Sequence, residues 1–139
     1  MRQLRTKMIL FIAACGMLAT TLPVGAHHAF AAEFDETKPI TLKGTVTKME
    51  WINPHSWIHI SVDNPDGTKT DWMVEGGSPN SLFRLGFKKS SLPPGTVIIV
   101  EGYRSKDGTD KAVGRDLTFE DGRRLFLGGS APGANGGGQ

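Results

Sequence analysis

Four histidines are the residues best suited to hold a metal ion, and they lie in two short segments: His27 and His28, then His55 and His59. If the chain is cut after Ala26, His27 becomes the first residue and offers its α-amino group and its imidazole to one ion. A second imidazole, from His55 or His59, would complete a three-nitrogen site that suits Cu(II). We therefore predict copper binding, with His28 as a further or alternative ligand.

Each histidine also has a purely structural interpretation. His28 would then be a surface residue of an N-terminal arm, and His55 would shape its own turn after Pro54. No serine has the Gly-x-Ser-x-Gly context of a nucleophile elbow, and no phosphate loop or dinucleotide fingerprint occurs. We predict no catalytic residue. A copper oxidase or monooxygenase is a weaker third alternative.

The tryptophans suggest a second class of function. Trp51 and Trp57 are predicted ligand-stacking residues, whereas Trp72 shares a strand face with Val74 and is predicted to be core. The alternative to copper binding is therefore a metal-free module that binds an envelope protein or a small ligand. It would use the outward strand face that carries Trp57 and His59, called the Trp57 face below.

The N-terminus has the pattern of an export signal. Three basic residues precede an apolar run, residues 8–18, and small residues at 24–26 fit a signal-peptidase site. The run is shorter than the roughly 20 residues of a permanent membrane span. We predict that residues 1–26 are a cleaved signal peptide and that the protein is periplasmic or secreted. The alternatives are a retained anchor and a lipoprotein modified at Cys15.

Removal of that segment changes the charge and the cysteine content. It leaves 13 basic and 14 acidic side chains, so the mature chain is close to neutral and lacks the basic surface that nucleic-acid binding requires. Cys15, the only cysteine, is lost as well. Disulfides and thiolate ligands are thereby excluded, and the predicted partners are a metal ion or an envelope protein, not nucleic acid.

The rest of the chain alternates with a period of two and predicts an all-β fold. The first predicted strand begins at Ile40 and has Gly44 at a bulge or bend. Five further segments are 57–62, 68–75, 96–103, 111–119 and 124–127, with a short helix at 79–86 capped by Ser78. A helix between the third and fourth strands is typical of a small OB-fold-like β-barrel, and a β-sandwich is the alternative. The predicted domain is 27–127, with an arm at 27–39 and a disordered Gly-rich tail at 128–139.

Six segments across the mature chain resemble those of one family of small exported bacterial proteins. They are His27-His28-Ala29-Phe30, Glu33-Phe34-Asp35, Gly44-Thr45-Val46, Trp51-Ile52-Asn53-Pro54-His55-Ser56, Trp72-Met73-Val74-Glu75-Gly76 and Gly114-Arg115-Asp116-Leu117. The family is domain of unknown function 6152; the resemblance implies secretion and a compact β fold but no activity. A terminal His27 would also resemble the histidine brace of periplasmic copper chaperones and lytic polysaccharide monooxygenases.

Overall fold

The computed structural model describes residues 24–134, and for residues 24–28 it describes the backbone alone. The elements are α1 Val24–Glu33, β1 Phe34–Glu50, β2 Trp57–Asp63, β3 Lys69–Glu75, α2 Pro79–Arg84, β4 Val97–Ser105, β5 Lys111–Phe119 and β6 Arg124–Phe126. Most of the predicted signal peptide, Cys15 included, and residues 135–139 of the predicted tail lie outside this range. Within it, no helix is long and apolar enough to cross a membrane.

The six strands form one sheet in the order β3-β2-β1-β4-β5-β6, and β3 pairs additionally with β5. The β3–β5 pairing is parallel, and the others are antiparallel. The predicted all-β class, the six strands and the short helix between β3 and β4 are confirmed. That helix ends two residues earlier than predicted because Gly86 adopts a left-handed conformation with φ of 95°.

Strand β1 is longer than predicted and pairs with two neighbouring strands. Its first part pairs with β4 and its last part with β2, and Thr45 has a partner in both strands. Gly44 of β1 lets the backbone of β2 approach closely, since a Cβ at this position would lie 2.9 Å from the carbonyl oxygen of Ser61. The irregularity in the ladder to β2 lies slightly further on, between Val46 and Lys48.

The main core lies on the inward face of the sheet and under α2. Ile58 and Ile60 of β2 are fully buried there, as the alternation predicts. Trp72 is 7% exposed and belongs to the same cluster, so its predicted core position is confirmed. The Arg104 guanidinium lies 5.2 Å from the centre of its ring.

A second, smaller cluster joins the two ends of the described chain. Its buried members come from α1, β1, β5 and the C-terminal segment: Phe30, Phe34, Val113, Ala131 and Ala134. Residues 128–134 fall in the segment for which the sequence predicts disorder. They lie against the sheet instead, because small alanines fit beside these aromatic rings and the Gly128 N–H donates to the Ala134 carbonyl at 2.9 Å.

Asp116 attaches β6 to the sheet and provides a test of the fold. Its buried Oδ2 accepts hydrogen bonds from Arg115 Nε at 2.9 Å and Arg124 Nη2 at 2.5 Å. Burial alone would raise the pKa of Asp116, but these hydrogen bonds hold it below its usual value.

We expect Asp116→Asn to lower the free energy of unfolding by about 2 kcal/mol at pH 7. Because the folded-state pKa is lowered, this stabilisation is present above the ordinary carboxyl pKa and is lost as the pH falls below it. Urea unfolding at pH 7 and pH 3 measures the difference. Exposed Asp71→Asn is the control, and an Asp116 effect independent of pH would contradict the explanation.

Candidate functional site

Strand β2 directs Trp57 and His59 to the outward face of the sheet, because Ile58 and Ile60 between them point into the core. This alternation was predicted, and it is confirmed. Trp57 is half-buried on that face. Met73 of β3, the register partner of His59, is 37% exposed beside it.

A row of residues in register crosses four strands through Trp57. Glu50 of β1 pairs with Trp57, Trp57 with Glu75 of β3, and Glu75 with Val113 of β5. Directly paired residues project to the same side of a sheet, so Trp57 lies between two acidic residues. Val113 continues the row into the second cluster, which includes Phe30 of α1.

His55 lies in the loop between β1 and β2, and backbone hydrogen bonds attach the end of this loop to the segment after β3. The Ser56 N–H donates to the Gly77 carbonyl at 3.0 Å, and the Gly76 N–H donates to the Ser56 carbonyl at 2.9 Å. These bonds bring the His55 ring to Glu75: Nδ1 lies 2.7 Å from Oε1. The His55 side chain is 37% exposed, whereas that of Glu75 is 3% exposed.

Glu75 is a buried acidic side chain whose surroundings stabilise its negative charge poorly. Burial raises its pKa to about 7; the negative charge of Glu33 adds to the rise, and Lys111 opposes it. Within the described residues, Oε1 accepts no hydrogen bond of normal geometry. The 2.7 Å approach of His55 is therefore a close contact that is not aligned as a hydrogen bond.

The end of α1 is attached next to Glu75. Glu33 Oε1 contacts Lys111 Nζ. Lys106 donates from its backbone N–H to the Glu33 carbonyl at 2.9 Å and from Nζ to the Ala31 carbonyl at 2.5 Å. These contacts fix the C-terminal turn of the helix whose backbone includes His27 and His28. The side chains of those two histidines lie outside the described part of the molecule.

His59 belongs to a different polar pair. Its Nε2 lies 3.6 Å from Glu50 Oε1 and has no hydrogen bond within the described residues. Lys48 contacts the same Glu50 carboxylate and, by hydrogen bonding, is the main cause that lowers the pKa of Glu50. Among the side chains that the structure describes, those of residues 29–134, no three His, Cys, Asp or Glu side chains lie close enough together to hold a metal by themselves.

The remaining predicted site residue, Trp51, packs partly buried against the main core. Trp51 and Trp57 are therefore in different surroundings, and Trp57 alone lies in the row between the two acidic residues. Sequence reasoning missed Glu75. The only signal for it was the strand alternation, which places it outward next to Trp57 but also predicts that it is solvated.

The model of the family of unknown function DUF6152 matches residues 14–115 of the chain. The matched range includes the loop with His55, strands β1 to β4 and most of β5. No match was found among curated proteins.

Proposed function

We infer that this chain, which belongs to the family of unknown function DUF6152, is an exported protein that binds copper. In this proposal the ligands are the N-terminal amine and imidazole of His27 and the Nε2 atom of His55. Glu75 orients His55, and His28 is an alternative ligand. The observation that carries the proposal is the buried Glu75 carboxylate 2.7 Å from His55 Nδ1.

The proposed scaffold is an OB-like barrel. The pairings run from β1 to β2, β3, β5, β4 and back to β1, which supports closure of the sheet on itself. Helix α2 lies between β3 and β4, as in that fold. The Trp57 face then corresponds to the surface on which OB-folds commonly bind ligands.

The contact between His55 and Glu75 has the arrangement of many metal-binding histidines. Such a histidine donates one ring N–H to a carboxylate, which fixes the ring and increases the basicity of the other nitrogen. In His55 the nitrogen next to the carboxylate is Nδ1, so Nε2 is the atom left for a metal. A small ring rotation would align Nδ1–H with Oε1 and satisfy the unpartnered oxygen.

The N-terminal part of the site rests on predicted signal-peptide cleavage after Ala26. His27 lies three residues before Phe30, so the two positions are on one side of α1. Phe30 is buried in the second cluster, which also contains the register partner of Glu75. This placement supports an approach of the mature N-terminus to His55. Amine and imidazole nitrogens are donors that favour Cu(II) over most first-row divalent ions.

We expect the exported protein to bind one Cu(II) per chain, and His55→Ala and His27→Ala each to abolish stoichiometric binding. Glu75→Gln should weaken binding by about ten- to a hundredfold, because its role is to orient a ligand. Native mass spectrometry and copper titration measure these effects on protein whose N-terminus has been verified by intact mass. His59→Ala is the matched control, since His59 pairs with Glu50 instead.

Equal loss of copper in His55→Ala and His59→Ala would contradict the assigned ligand. Absence of copper from a wild-type chain that begins at His27 would overturn the proposal. The second candidate would then be a metal-free module in the envelope that binds its partner through the Trp57 face. It is supported by the half-buried Trp57 in its acidic row and by exposed Met73.

A further inference from the structure

The segment between β3 and β4 has an unusual distribution of charge. From residue 76 to residue 100 there is no acidic residue, although the whole chain has 14. The same segment has three basic residues, Arg84, Lys88 and Lys89, and the side chains of all three are exposed. Within residues 24–134, none of them takes part in an ion pair, whereas each of the other four arginines in this range does: Arg104, Arg115, Arg123 and Arg124.

Three buried residues hold this segment in place: Leu82, Phe87 and Leu92, spaced five apart. Helix α2 ends in a Schellman motif, in which the Phe87 N–H donates to the Leu82 carbonyl at 3.0 Å and the Gly86 N–H to the Phe83 carbonyl at 3.2 Å. The anchors point inward. The residues between them therefore project outward from a fixed backbone.

Phe83 projects from this fixed backbone into solvent. Its side chain is 69% exposed, the highest value among the large apolar residues that the structure describes as exposed. Arg84 follows it directly, and the two lysines lie on the next outward turn, beyond the buried Phe87. An exposed aromatic ring in one short segment with three exposed cations suits the headgroup region of an anionic bilayer.

We propose that Phe83, Arg84, Lys88 and Lys89 form a docking surface for an anionic phospholipid membrane. The ring inserts at the boundary between headgroups and acyl chains, and the three cations contact lipid phosphates. A protein partner fits less well, because protein interfaces need a broad apolar centre, and here the ring is a single projecting group. None of these four residues is among the proposed copper ligands, and none contacts Glu75 by an ion pair or a hydrogen bond in the described part of the chain.

The expected binding is weak, reversible and sensitive to salt. A basic residue near an anionic surface contributes about fivefold in affinity, so the three together account for roughly a hundredfold. Partial burial of the ring adds about tenfold. Since the Debye length shrinks from about 14 Å to about 4 Å between 0.05 and 0.5 M salt, most of the electrostatic part should disappear over that range.

Flotation with vesicles tests the proposal on the exported, processed protein. We expect binding to equal parts phosphatidylglycerol and phosphatidylcholine and none to phosphatidylcholine alone. Phe83→Ser should reduce the partition coefficient by about tenfold, and the triple change of Arg84, Lys88 and Lys89 to Gln by roughly a hundredfold. Thermal unfolding checks that each variant is folded.

The matched controls alter similar residues elsewhere. Ile52→Ser removes another exposed apolar side chain, which is 49% exposed, and a triple change of Lys38, Lys43 and Lys69 to Gln removes the same charge. Both should bind vesicles as the wild type does. The proposal is overturned if the wild type does not float with the anionic vesicles. It is also overturned if the control triple loses as much binding as the Arg84 triple, since net charge alone would then explain it.

Discussion

Gly102→Ala should lower the free energy of unfolding by about 3 kcal/mol or more, at the upper end of the range for overpacked sites. A Cβ at this position in β4 would lie 2.0 Å from the Val113 carbonyl oxygen and 3.0 Å from the Cα of Gly114, both backbone atoms of β5. Backbone in the middle of a paired strand cannot move aside as a side chain can. The ladder between β4 and β5 shifts register next to Gly102, so the strands approach closely there.

Denaturant unfolding of Gly102→Ala beside Gly76→Ala measures this effect. Gly76 is also buried, but its nearest non-neighbouring atom to an added Cβ is the Leu127 carbonyl oxygen at 3.4 Å, an ordinary contact. We expect the Gly76 variant to remain within about 1 kcal/mol of wild type. Similar losses in both variants would contradict this explanation, because only Gly102 has the steric contact with β5.

Glu75→Gln should have the opposite effect and stabilise the metal-free protein at alkaline pH, by up to about 3 kcal/mol. The folded protein holds the Glu75 proton up to a pKa of about 7, against an ordinary value of 4.5. Folding therefore favours the protonated form. Wild-type stability should fall as the pH rises from about 4.5 to 7 and then become constant, whereas the variant should lack this decrease.

The groups around Glu75 determine how large the effect is. Glu33 repels its charge, Lys111 attracts it, and the His55 ring lies 2.7 Å away. Thermal unfolding between pH 5 and 9, with a chelator present, measures the difference in stability between wild type and Glu75→Gln. Glu120→Gln, a change at an exposed residue, is the control. A Glu75 variant less stable than wild type at pH 8 would show that the carboxylate is already compensated in the metal-free state.

A stabilising Glu75→Gln would also bear on function. A buried carboxylate that lowers stability and has no well-aligned partner is a typical property of a binding or catalytic site. Together with the copper titration, the stability measurement would separate two roles of Glu75. Orientation of His55 predicts weaker copper binding in a more stable protein, and a purely structural role predicts neither change.

Much of the fold could be predicted because β-sheets leave local patterns. Alternation identified the inward Ile58 and Ile60, and the Ser78-Pro79 start identified α2. The helix end was placed too late, since the pattern of apolar residues continues past the left-handed Gly86. Trp72 was assigned to the core correctly because its neighbour Val74 shares its face.

Other features depend on contacts between distant segments and have no local signal. Ala131 and Ala134 lie in a Gly-rich segment of disordered composition, yet they are buried beside Phe30 and Phe34 about 100 residues earlier. Glu75 alternates outward like a solvated residue, but chain segments far from it in sequence surround it. At the candidate site, the residue pattern offered no reason to prefer His55 or His59 as a copper ligand. In the structure the two histidines have different acidic neighbours, because His55 lies next to Glu75 of β3 and His59 next to Glu50 of β1.

The parallel pairing of β3 with β5 also affects how molecules of this protein meet one another. Without it, β3 would be an outermost strand whose unpaired backbone groups could template the addition of a strand from another molecule. Residues 73–75 of β3 are instead hydrogen-bonded on both sides, and the strand at the opposite end of the sheet order, β6, has only three residues. Intermolecular β-pairing at residues 73–75 would therefore require β3 and β5 to separate first.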